Sequence, residues 1–276
     1  MNKKFLEPLL LRWLPAKKKY GYFGDYQNWS EATKNSVGYA ADNILEKVKE
    51  STLKVKNNDK IYGKDTIIYN NSWNYPYNYQ VLSSLLLIGQ LNNNKITIID
   101  FGGSLGTTYF QHRQMLSHLS ELRWNIVEQE KFVETGKKFF EDGHLSFHYD
   151  LEACIKSKKP DCILLAGVLQ YLEKPYDIID TILKYNINFI IVNRTPFFKN
   201  MPDRITIQKV PPGYYEASLP YRIFNYEKFK NKFFQQYNII ADSFSIKGKI
   251  KIGKIPAYKR FILFRRKDYI TEATNK

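Results

Sequence analysis

Cysteine is scarce in this sequence, and histidine forms no metal-binding pattern. The 276-residue chain has two cysteines, Cys154 and Cys162, which make no CxxC pair and are too few for a framework of disulfides. Its four histidines do not stand at zinc-ligand spacing from these cysteines. These absences exclude a small secreted fold held by disulfides. We therefore expect a protein of a reducing compartment, the cytoplasm, that binds no metal.

Long apolar runs are also missing. No stretch reaches the roughly 18 apolar residues of a membrane-spanning helix. The N-terminus does not read as a signal peptide, because Glu7 and Pro8 interrupt its apolar part and the basic residues 17–19 follow that part. Residues 5–14 carry apolar side chains at helical spacing. This pattern leaves two alternatives: packing on the protein's own domain, which we favour, or peripheral contact with the inner face of a membrane.

Acidic residues are few, so the chain carries a formal net charge of +15. The basic residues are mostly lysines spread along the chain, and the densest stretch, residues 247–267, contains nine basic residues and no acidic one. A nucleic-acid-binding domain concentrates its charge on one face or in a recognisable motif, and the sequence has no such motif. The charge therefore argues against a nucleic-acid partner and favours an anionic small-molecule or glycan substrate.

The hydrophobic pattern divides the chain at about residue 95. Residues 1–94 predict a helical, aromatic-rich cap region. Asn28 followed by Glu31 indicates a capping box for a helix that we expect to run to about residue 50, with a second helix at residues 79–91. The aromatic segment between these helices contains Trp73, Tyr75 and Tyr77.

Residues 95–276 alternate short β-type runs with helical ones. Such alternation indicates right-handed βαβ units and a parallel sheet covered by helices on both faces. Residues 195–225 interrupt the rhythm, and we expect an irregular insertion there that carries the acceptor side of a site. The predicted fold is α/β: a Rossmann-like, mainly parallel seven-stranded sheet with an N-terminal helical appendage. The predicted strands are residues 95–100, 124–128, 145–148, 161–166, 187–193, 238–245 and 258–266.

The sharpest motif is a glycine-rich turn between the first of these strands and a helix near Thr107. The strand ends in Asp100, and glycines after it let the backbone turn sharply and approach a ligand closely. Two cofactor templates fit such a turn. The dinucleotide pattern G-x-G-x-x-G lacks its first glycine here, because Phe101 stands in that place. The S-adenosylmethionine pattern D-x-G-x-G-x-G fits better, with Ser104 in place of the middle glycine.

Downstream residues at strand ends strengthen the second template. Glu128 follows the second strand, where an acid accepts hydrogen bonds from ribose hydroxyls. Asp150 follows the third strand and has two open roles, a ligand of the adenine amino group and a helix N-cap. Residues 167–172 lie at the carboxyl edge, where open α/β sheets bind ligands. The predicted cofactor-binding residues are Asp100, Gly102, Gly103, Ser104, Gly106, Glu128, Gln129, Asp150, Leu151, Leu169 and Gln170.

These motifs resemble those of class I methyltransferases encoded among genes for bacterial surface polysaccharides, namely lipopolysaccharide, O-antigen and capsule. The resemblance implies a methyltransferase domain at residues 95–276, S-adenosylmethionine as methyl donor and S-adenosylhomocysteine as product. It also implies O-methylation of a saccharide, or of its phosphate or carboxylate substituent, in a surface glycan or its nucleotide- or lipid-linked precursor. The chain departs from the family at Asn193, where we expect an aspartate. The resembling stretches are residues 29–39, 100–109, 124–129, 169–172 and 194–197.

The catalytic and acceptor-binding candidates are fewer and less specific. His112 is a candidate general base, with a satisfied helix histidine as the alternative. Arg194 follows the fifth strand and is expected to bind an anion, with a structural ion pair as the alternative. Tyr171 is expected to line the methyl-transfer pocket or simply to pack. The acceptor-binding candidates are Tyr109, Trp73, Tyr75, Tyr77, Arg194 and Tyr214. For the aromatic segment with Trp73, Tyr75 and Tyr77, the alternative, which we favour slightly, is a hydrophobic seam between the helical appendage and the sheet.

Two other functions stay open at this point. One is a non-catalytic subunit that binds S-adenosylmethionine within a glycan-assembly complex. The other is an NAD-dependent sugar-nucleotide enzyme, against which Phe101 and the absence of a Tyr-x-x-x-Lys pair after the fourth strand both argue. Cofactor binding without turnover would distinguish the first from an enzyme, and preference for NAD would identify the second.

Overall fold

A computed structural model describes residues 20–37, 41–58, 61–64, 67–70, 78–211 and 217–269. The predicted membrane-contact stretch, residues 5–14, lies outside the described residues. The same is true of four predicted acceptor contacts, Trp73, Tyr75, Tyr77 and Tyr214. None of the helices in the described residues combines the length and the apolar character needed to cross a membrane.

The N-terminal region contains strands as well as helices. The predicted helix cap is confirmed, because the Asn28 side chain accepts a hydrogen bond from the Glu31 N–H at 2.9 Å. The prediction of one helix to about residue 50 is wrong: the helix ends at Lys34, and Val37, three residues further on, is 91% exposed. The elements are β1 (Gly21–Tyr26), α1 (Trp29–Lys34), α2 (Ala41–Lys56), β2 (Ile61–Lys64), β3 (Ile67–Asn70) and α3 (Tyr79–Leu91).

The early end of α1 has a local cause. The Asn35 side chain donates to the carbonyl of Glu31 at 2.9 Å, and the Ser36 hydroxyl donates to the carbonyl of Thr33 at 2.8 Å. Both side chains hydrogen-bond carbonyl groups in the last turn of the helix. Such side-chain hydrogen bonds compete with those of the helical backbone, so they favour a helix end at this point.

From residue 95 onward, strands and helices alternate as predicted. The first elements are β4 (Lys95–Phe101), α4 (Thr107–Leu116), β5 (Glu121–Val127), α5 (Glu130–Phe139), β6 (Leu145–His148), α6 (Leu151–Lys158) and β7 (Cys162–Ala166). After a 3₁₀ turn (Leu169–Tyr171) come α7 (Pro175–Lys184), β8 (Phe189–Phe198), β9 (Arg204–Lys209), β10 (Ser218–Asn225), α8 (Tyr226–Asn231), β11 (Tyr237–Ile252) and β12 (Ile255–Arg266). The irregular structure predicted for residues 195–225 is therefore wrong, since β9 and β10 lie within it.

The main sheet has ten strands in the order β10-β9-β1-β11-β12-β8-β7-β4-β5-β6. Strands β6, β5, β4, β7 and β8 run parallel, and β12 and β11 extend β8 as an antiparallel pair. The parallel strands with helices between them confirm the predicted Rossmann-like α/β fold. The predicted seven strands are too few, because β1, β9 and β10 join the same sheet.

The three additional strands close one half of the sheet into a barrel. β1 pairs with both β11 and β9, β9 pairs with β10, and β10 returns to pair with the end of β8 at Phe197 and Phe198. Hydrogen-bonded pairs thus run around a ring of six strands, β8-β12-β11-β1-β9-β10, which leaves that ring without a free edge. Its core includes Phe198, Tyr221 and Ile252, and α1 packs Ala32 against the other face of β9.

The parallel half of the sheet is buried on both faces. Successive residues of β4 point to opposite sides, so that Ile98 belongs to one apolar cluster and Ile99 to another. Helices α3, α4 and α5 contribute to the first cluster, and α6, α7 and α8 to the second. A sheet covered in this way presents its polar ligand-binding groups at the strand ends.

The packing of α5 on β6 requires a glycine at position 136, because the helix lies directly on the buried ring of Phe147. A Cβ at position 136 would stand 2.4–2.5 Å from three ring atoms of Phe147, which is 1% exposed. We expect Gly136→Ala to lower the free energy of unfolding by about 1–2 kcal/mol, since overpacking of about 1–3 kcal/mol outweighs a gain in helix propensity of up to about 1 kcal/mol. Urea unfolding measures the change. Gly143→Ala is the control, because a Cβ there meets nothing within 4 Å; equal stability of the two variants would contradict this account.

Candidate functional site

The glycine turn after β4 packs directly on the segment that follows β7. The Gly102 N–H donates to the carbonyl of Val127 at 2.9 Å. Gly102 has a φ of +72°, and a Cβ there would stand 2.4 Å from Cγ2 of Val168. Gly106 has a φ of +93° and forms the N-cap of α4. The left-handed backbone at both glycines and the contact at Gly102 bring the ends of β4, β5 and β7 to one place.

Asp100 lies beneath this turn. A Cβ at Gly103 would stand 2.7 Å from the Asp100 carboxyl group, so the backbone at that position rests on the acid. Burial raises the pKa of Asp100 to about 7, against the lowering effects of a hydrogen bond from Trp124 Nε1 (3.2 Å to Oδ2) and of the Arg194 charge. The Glu128 carboxylate adds to the rise. The charges of Glu128 and Arg194 therefore both act on Asp100 at the carboxyl edge of the sheet.

Glu128 is held next to the turn by two backbone donors. Its carboxylate accepts a hydrogen bond from the Ser104 N–H at 3.2 Å and one from the Gln129 N–H at 2.8 Å. Burial raises the pKa of Glu128, and both of these hydrogen bonds lower it. Ser104 has a φ of +54°, an unusual conformation for a residue with a side chain, and it aims its N–H at the acid. The carboxylate is thus oriented, and it retains capacity to accept from a ligand.

Asp150 forms the N-cap of α6. Its side chain accepts a hydrogen bond from the Ala153 N–H at 2.7 Å, and the next residue, Leu151, is buried. The capping role expected from the sequence is confirmed. Because the carboxylate is exposed and lies at the carboxyl end of β6, the ligand role stays a compatible prediction.

The 3₁₀ turn after β7 contains three residues that were predicted to belong to the site, and their surroundings differ. Leu169 is fully buried. Gln170 is 2% exposed, and its Oε1 accepts no hydrogen bond from the described residues. Tyr171 is 38% exposed and donates its hydroxyl hydrogen to Oε1 of Gln208 at 2.7 Å. A buried amide oxygen without a donor is unusual in a folded protein and is a candidate ligand contact.

Arg194 occupies a β-bulge in β8. In the pairing of β8 with β12, Asn193 lies opposite Phe261 and Thr195 lies opposite Arg260. Arg194 is therefore an extra residue of β8 with no partner in β12. Its φ of +58° is costly for a residue with a side chain, by about 1 kcal/mol. Bulges re-aim side chains, and strained residues cluster at functional sites.

The guanidinium group of Arg194 is fixed over the end of β7. Nη2 donates to the carbonyl of Ala166 at 2.8 Å. A Cβ on Gly167 would stand 3.3–3.6 Å from the guanidinium atoms, so the group lies against that peptide. One guanidinium N–H of Arg194 donates to Ala166, and the planar guanidinium group has four further N–H donors. This position, with donors to spare, suits an anion at the carboxyl edge.

Asn193 serves to hold the bulge. The Ser245 hydroxyl donates to Oδ1 of Asn193 at 3.0 Å and accepts from the Arg194 N–H at 3.1 Å. Asn193 is fully buried, so its amide acts on the backbone of its neighbour and not on solvent. An asparagine in place of the expected aspartate fits this structural role.

Two predicted residues are engaged in hydrogen bonds outside the glycine turn. His112 is buried on α4, with Nδ1 2.7 Å from the carbonyl of Thr108 and Nε2 3.3 Å from that of Asn78; burial lowers its pKa. Tyr109 is buried in the core and donates to Asp142 Oδ2 at 3.1 Å. These contacts give both side chains a structural role, and the catalytic role of His112 and the acceptor role of Tyr109 stay predictions.

The residues that the sequence analysis missed come from the barrel. Gln208 on β9 and Tyr221 on β10 contact Tyr171, and Tyr22 on β1 packs against Tyr221. The Arg194 charge reaches Tyr221. No sequence signal could have found them, because their strands are far apart in the chain. Within the described residues, no group of three His, Cys, Asp or Glu side chains could hold a metal ion.

No protein-family model and no curated protein sequence matches the chain. It is similar in structure to the N-terminal domain of EvdMO1, crystallised with S-adenosylhomocysteine and D-fucose (TM-score 0.45, 11% identity, covering 83% of this chain and 98% of that one). It is also similar to magnesium protoporphyrin IX methyltransferase from Synechocystis (0.43, 14%, 68% and 80%) and to an S-adenosylmethionine-dependent methyltransferase from Clostridium acetobutylicum (0.40, 13%, 70% and 92%). At these identities the likeness concerns the fold alone.

Proposed function

We propose that the chain is an S-adenosylmethionine-dependent methyltransferase. The observation that carries the proposal is the pair of carboxyl groups at the glycine turn, Asp100 beneath Gly103 and Glu128 held by the Ser104 N–H. An acid at the position of Glu128 would serve the ribose of either cofactor, but the Asp100 carboxyl against Gly103 lies where a dinucleotide would bring its negatively charged diphosphate. S-adenosylmethionine carries a positive sulfonium and ammonium instead, and its ribose hydroxyls find an oriented acceptor in Glu128.

We assign different roles in methyl transfer to the residues around the turn. When bound, S-adenosylmethionine supplies a methyl group that passes to an acceptor oxygen as the carbon–sulfur bond breaks, its electron pair stays on sulfur, and S-adenosylhomocysteine remains. Glu128 and the turn bind and orient the ribose side of this donor. Arg194, over the end of β7, would orient the acceptor, and most of the rate would come from this alignment.

The acceptor we propose is a saccharide, or its phosphate or carboxylate substituent, in a bacterial surface glycan or its nucleotide- or lipid-linked precursor. Its support is the resemblance of the sequence motifs together with the Arg194 guanidinium at the carboxyl edge. An acceptor oxygen that is already ionised needs only orientation, whereas a hydroxyl must also lose its proton to a base or to water.

Arg194→Lys is expected to reduce methyl transfer to saccharide acceptors about tenfold while changing S-adenosylhomocysteine affinity by less than about twofold. A lysine keeps the charge but cannot present the planar fork that bonds Ala166 and an anion together. Transfer of a labelled methyl group and calorimetry provide the two measurements. Arg123→Lys is the control, because Arg123 is an exposed residue of β5 paired with Glu121. A selective loss of cofactor affinity would move Arg194 out of the acceptor site.

The proposal itself is tested by calorimetric titration of the protein with S-adenosylhomocysteine and, separately, with NAD. Micromolar binding of S-adenosylhomocysteine alone is the expected result. Preference for NAD, or no binding of S-adenosylhomocysteine, would overturn the proposal. Binding without any transfer to a panel of saccharides would instead favour a non-catalytic cofactor-binding subunit, a role consistent with the structural contacts of His112.

A further inference from the structure

The basic stretch at residues 247–267 lies in the β11–β12 hairpin, and the proposed methyl transfer does not explain it. Nine of its residues are basic and none is acidic. In the two strands together, Asp242 is the only acidic residue. Arg260 pairs with it, with Nη2 2.6 Å from Asp242 Oδ1. The positive charge of the hairpin lysines is therefore not balanced within their own strands.

The register of the hairpin places these lysines on the outside of the barrel. Lys249 lies opposite Tyr258, and Lys251 lies two residues nearer the turn. Ile250, between the two lysines, packs against the barrel core, so the lysines point the other way. Both lysines are exposed, and so is Lys254 in the turn. Within the described residues, none of these three lysines forms an ion pair with an acidic group.

An aromatic ring stands next to these lysines. Phe244 is 60% exposed, although its ring packs against Tyr258, with 5.3 Å between the ring centroids. The Arg260 guanidinium lies over the same ring, 5.1 Å from its centroid. The Gln80 side chain donates to the carbonyl of Phe244 at 2.9 Å. These contacts hold the ring in one position while most of it stays exposed to solvent.

An irregularity in β11 brings the ring and the lysines together. Phe244 and Lys249 are five residues apart in the sequence, but they lie opposite Arg260 and Tyr258, which are only two residues apart. Gly248 makes the compact turn between them possible, because a Cβ there would stand 2.6–2.7 Å from two backbone carbonyl oxygens. The exposed ring and the lysines therefore form one surface, here called the hairpin face, which consists of Phe244, Lys249, Lys251, Lys254 and Tyr258.

The neighbouring strands add a second lysine–aromatic pair on the outside of the barrel. β1 pairs with β11 near the hairpin turn, and β9 pairs with β1. Nζ of Lys209 on β9 lies 5.4 Å from the ring centroid of Phe23 on β1, and Lys209 is exposed. Phe23 lies opposite Ile207, which packs against α1 outside the barrel. Lys209 and Phe23 therefore face outward and extend the basic, partly aromatic surface beyond the hairpin.

Lysines around one exposed aromatic ring fit an anionic lipid surface better than a nucleic acid. Lysine ammonium groups on flexible arms reach lipid phosphates, and an aromatic ring enters the interface between headgroups and acyl chains. A single-stranded nucleic acid needs several ring faces along a groove, on which successive bases stack. The hairpin face lies instead on the convex outside of the barrel, and Arg260 occupies one face of its most exposed ring.

We propose that the hairpin face docks the protein on an anionic lipid bilayer. Phe244 enters the headgroup region, and the lysines lie at the level of the lipid phosphates. Phe244 precedes Ser245, whose hydroxyl accepts from the Arg194 N–H, so docking brings the bulge and the proposed acceptor side close to the bilayer. The docking itself does not rest on the proposed function, because neither cofactor nor acceptor takes part in it.

Cosedimentation with vesicles tests the docking. The full chain is mixed with vesicles of equimolar phosphatidylglycerol and phosphatidylcholine and, separately, with vesicles of phosphatidylcholine alone. We expect binding to the anionic vesicles and binding at least about tenfold weaker to the neutral ones. Binding to the anionic vesicles should also fall as the salt concentration rises, because salt screens the attraction.

The lysines of the hairpin face are tested by the double variant Lys249→Gln/Lys251→Gln. It should weaken binding to the anionic vesicles about tenfold or more, since each lysine near such a surface contributes about fivefold. The matched control is Lys47→Gln/Lys54→Gln, which removes the same charge from two exposed lysines of α2. We expect the control to change binding by less than about twofold, because these lysines lie outside the hairpin face.

The aromatic ring is tested separately. Phe244→Ala should weaken binding to the anionic vesicles about three- to tenfold, because it removes the apolar group that enters the interface. Phe234→Ala is the control, since Phe234 is 41% exposed and lies before the start of β11, away from the hairpin turn. Thermal unfolding followed by circular dichroism checks the fold of every variant. The lysine variants change exposed positions only, so they keep the test decisive if Phe244→Ala lowers stability.

Three results would overturn the docking. The first is equal binding, or none, to anionic and neutral vesicles. The second is an equal loss in the hairpin and α2 lysine variants, which would make net charge alone responsible. The third is tighter binding of a single-stranded DNA oligonucleotide that depends on Lys249 and Lys251, which would indicate a nucleic-acid partner. Calorimetry with S-adenosylhomocysteine tests the proposed function separately, so either proposal can fail while the other stands.

Discussion

Replacing Asp100 by asparagine should stabilise the protein, and the gain should grow by about 3 kcal/mol between pH 5 and pH 8. Burial raises the pKa of Asp100 from an ordinary value of 3.8 to about 7. The folded protein therefore keeps this proton up to about pH 7, whereas the unfolded chain releases it near pH 4. Between these values the folded state binds more protons, so its stability falls as the pH rises.

The asparagine variant has no proton to lose at this position, and its amide oxygen can still accept from Trp124. The difference in unfolding free energy between variant and wild type thus isolates Asp100 from every other titrating group. Urea unfolding of both proteins at pH 5 and pH 8 measures it. Asp150→Asn makes the same exchange at an exposed helix cap and serves as the control. A gain that did not change with pH would show that Asp100 ionises as it does in the unfolded chain.

Glu128→Ala should weaken S-adenosylhomocysteine binding by about 1–3 kcal/mol, which is roughly 5- to 150-fold. The alanine leaves the two ribose hydroxyls without an acceptor. It also frees the N–H groups of Ser104 and Gln129, which now orient the carboxylate at 3.2 and 2.8 Å. Glu128→Gln retains one acceptor oxygen, so an intermediate loss is expected.

Calorimetry of the wild type and the two Glu128 variants measures this effect, and circular dichroism checks that the fold is intact. Glu130→Ala is the matched control, because Glu130 is an exposed acid two residues further along, in the first turn of α5. If Glu128→Ala bound S-adenosylhomocysteine as tightly as Glu130→Ala does, Glu128 would not contact the ribose, and the strongest support for the cofactor assignment would be lost.

The bulge at Arg194 connects local strain with the proposed chemistry. A glycine at this position would adopt the φ of +58° freely, yet the chain has an arginine there, held by the Asn193–Ser245 hydrogen bond and by the carbonyl of Ala166. An ordinary strand residue in register would alternate between the two faces of the sheet. The bulge instead turns Arg194 over the end of β7, where its charge reaches both Asp100 and Tyr221.

The sequence by itself determined the parallel half of the fold and the outline of the proposed cofactor site. Apolar strand patterns alternating with amphipathic helices specify βαβ units locally, and the turn from Asp100 to Gly106 encodes its backbone in the glycines themselves. The helix caps at Asn28 and Asp150 were predictable for the same reason, since each depends on residues within one helical turn.

Only the tertiary structure decided the barrel and the contacts that its residues make with Tyr171. β1 joins the sheet by pairing with β9 and β11, so Tyr22 and Gln208 meet although they are far apart in the chain. The same holds for His112 and Tyr109, whose side-chain directions depend on how α4 rotates against α3 and the sheet. Local periodicity specifies which residues form an element. Hydrogen bonding between distant strands and the packing of one element on another decide which side chains share a site.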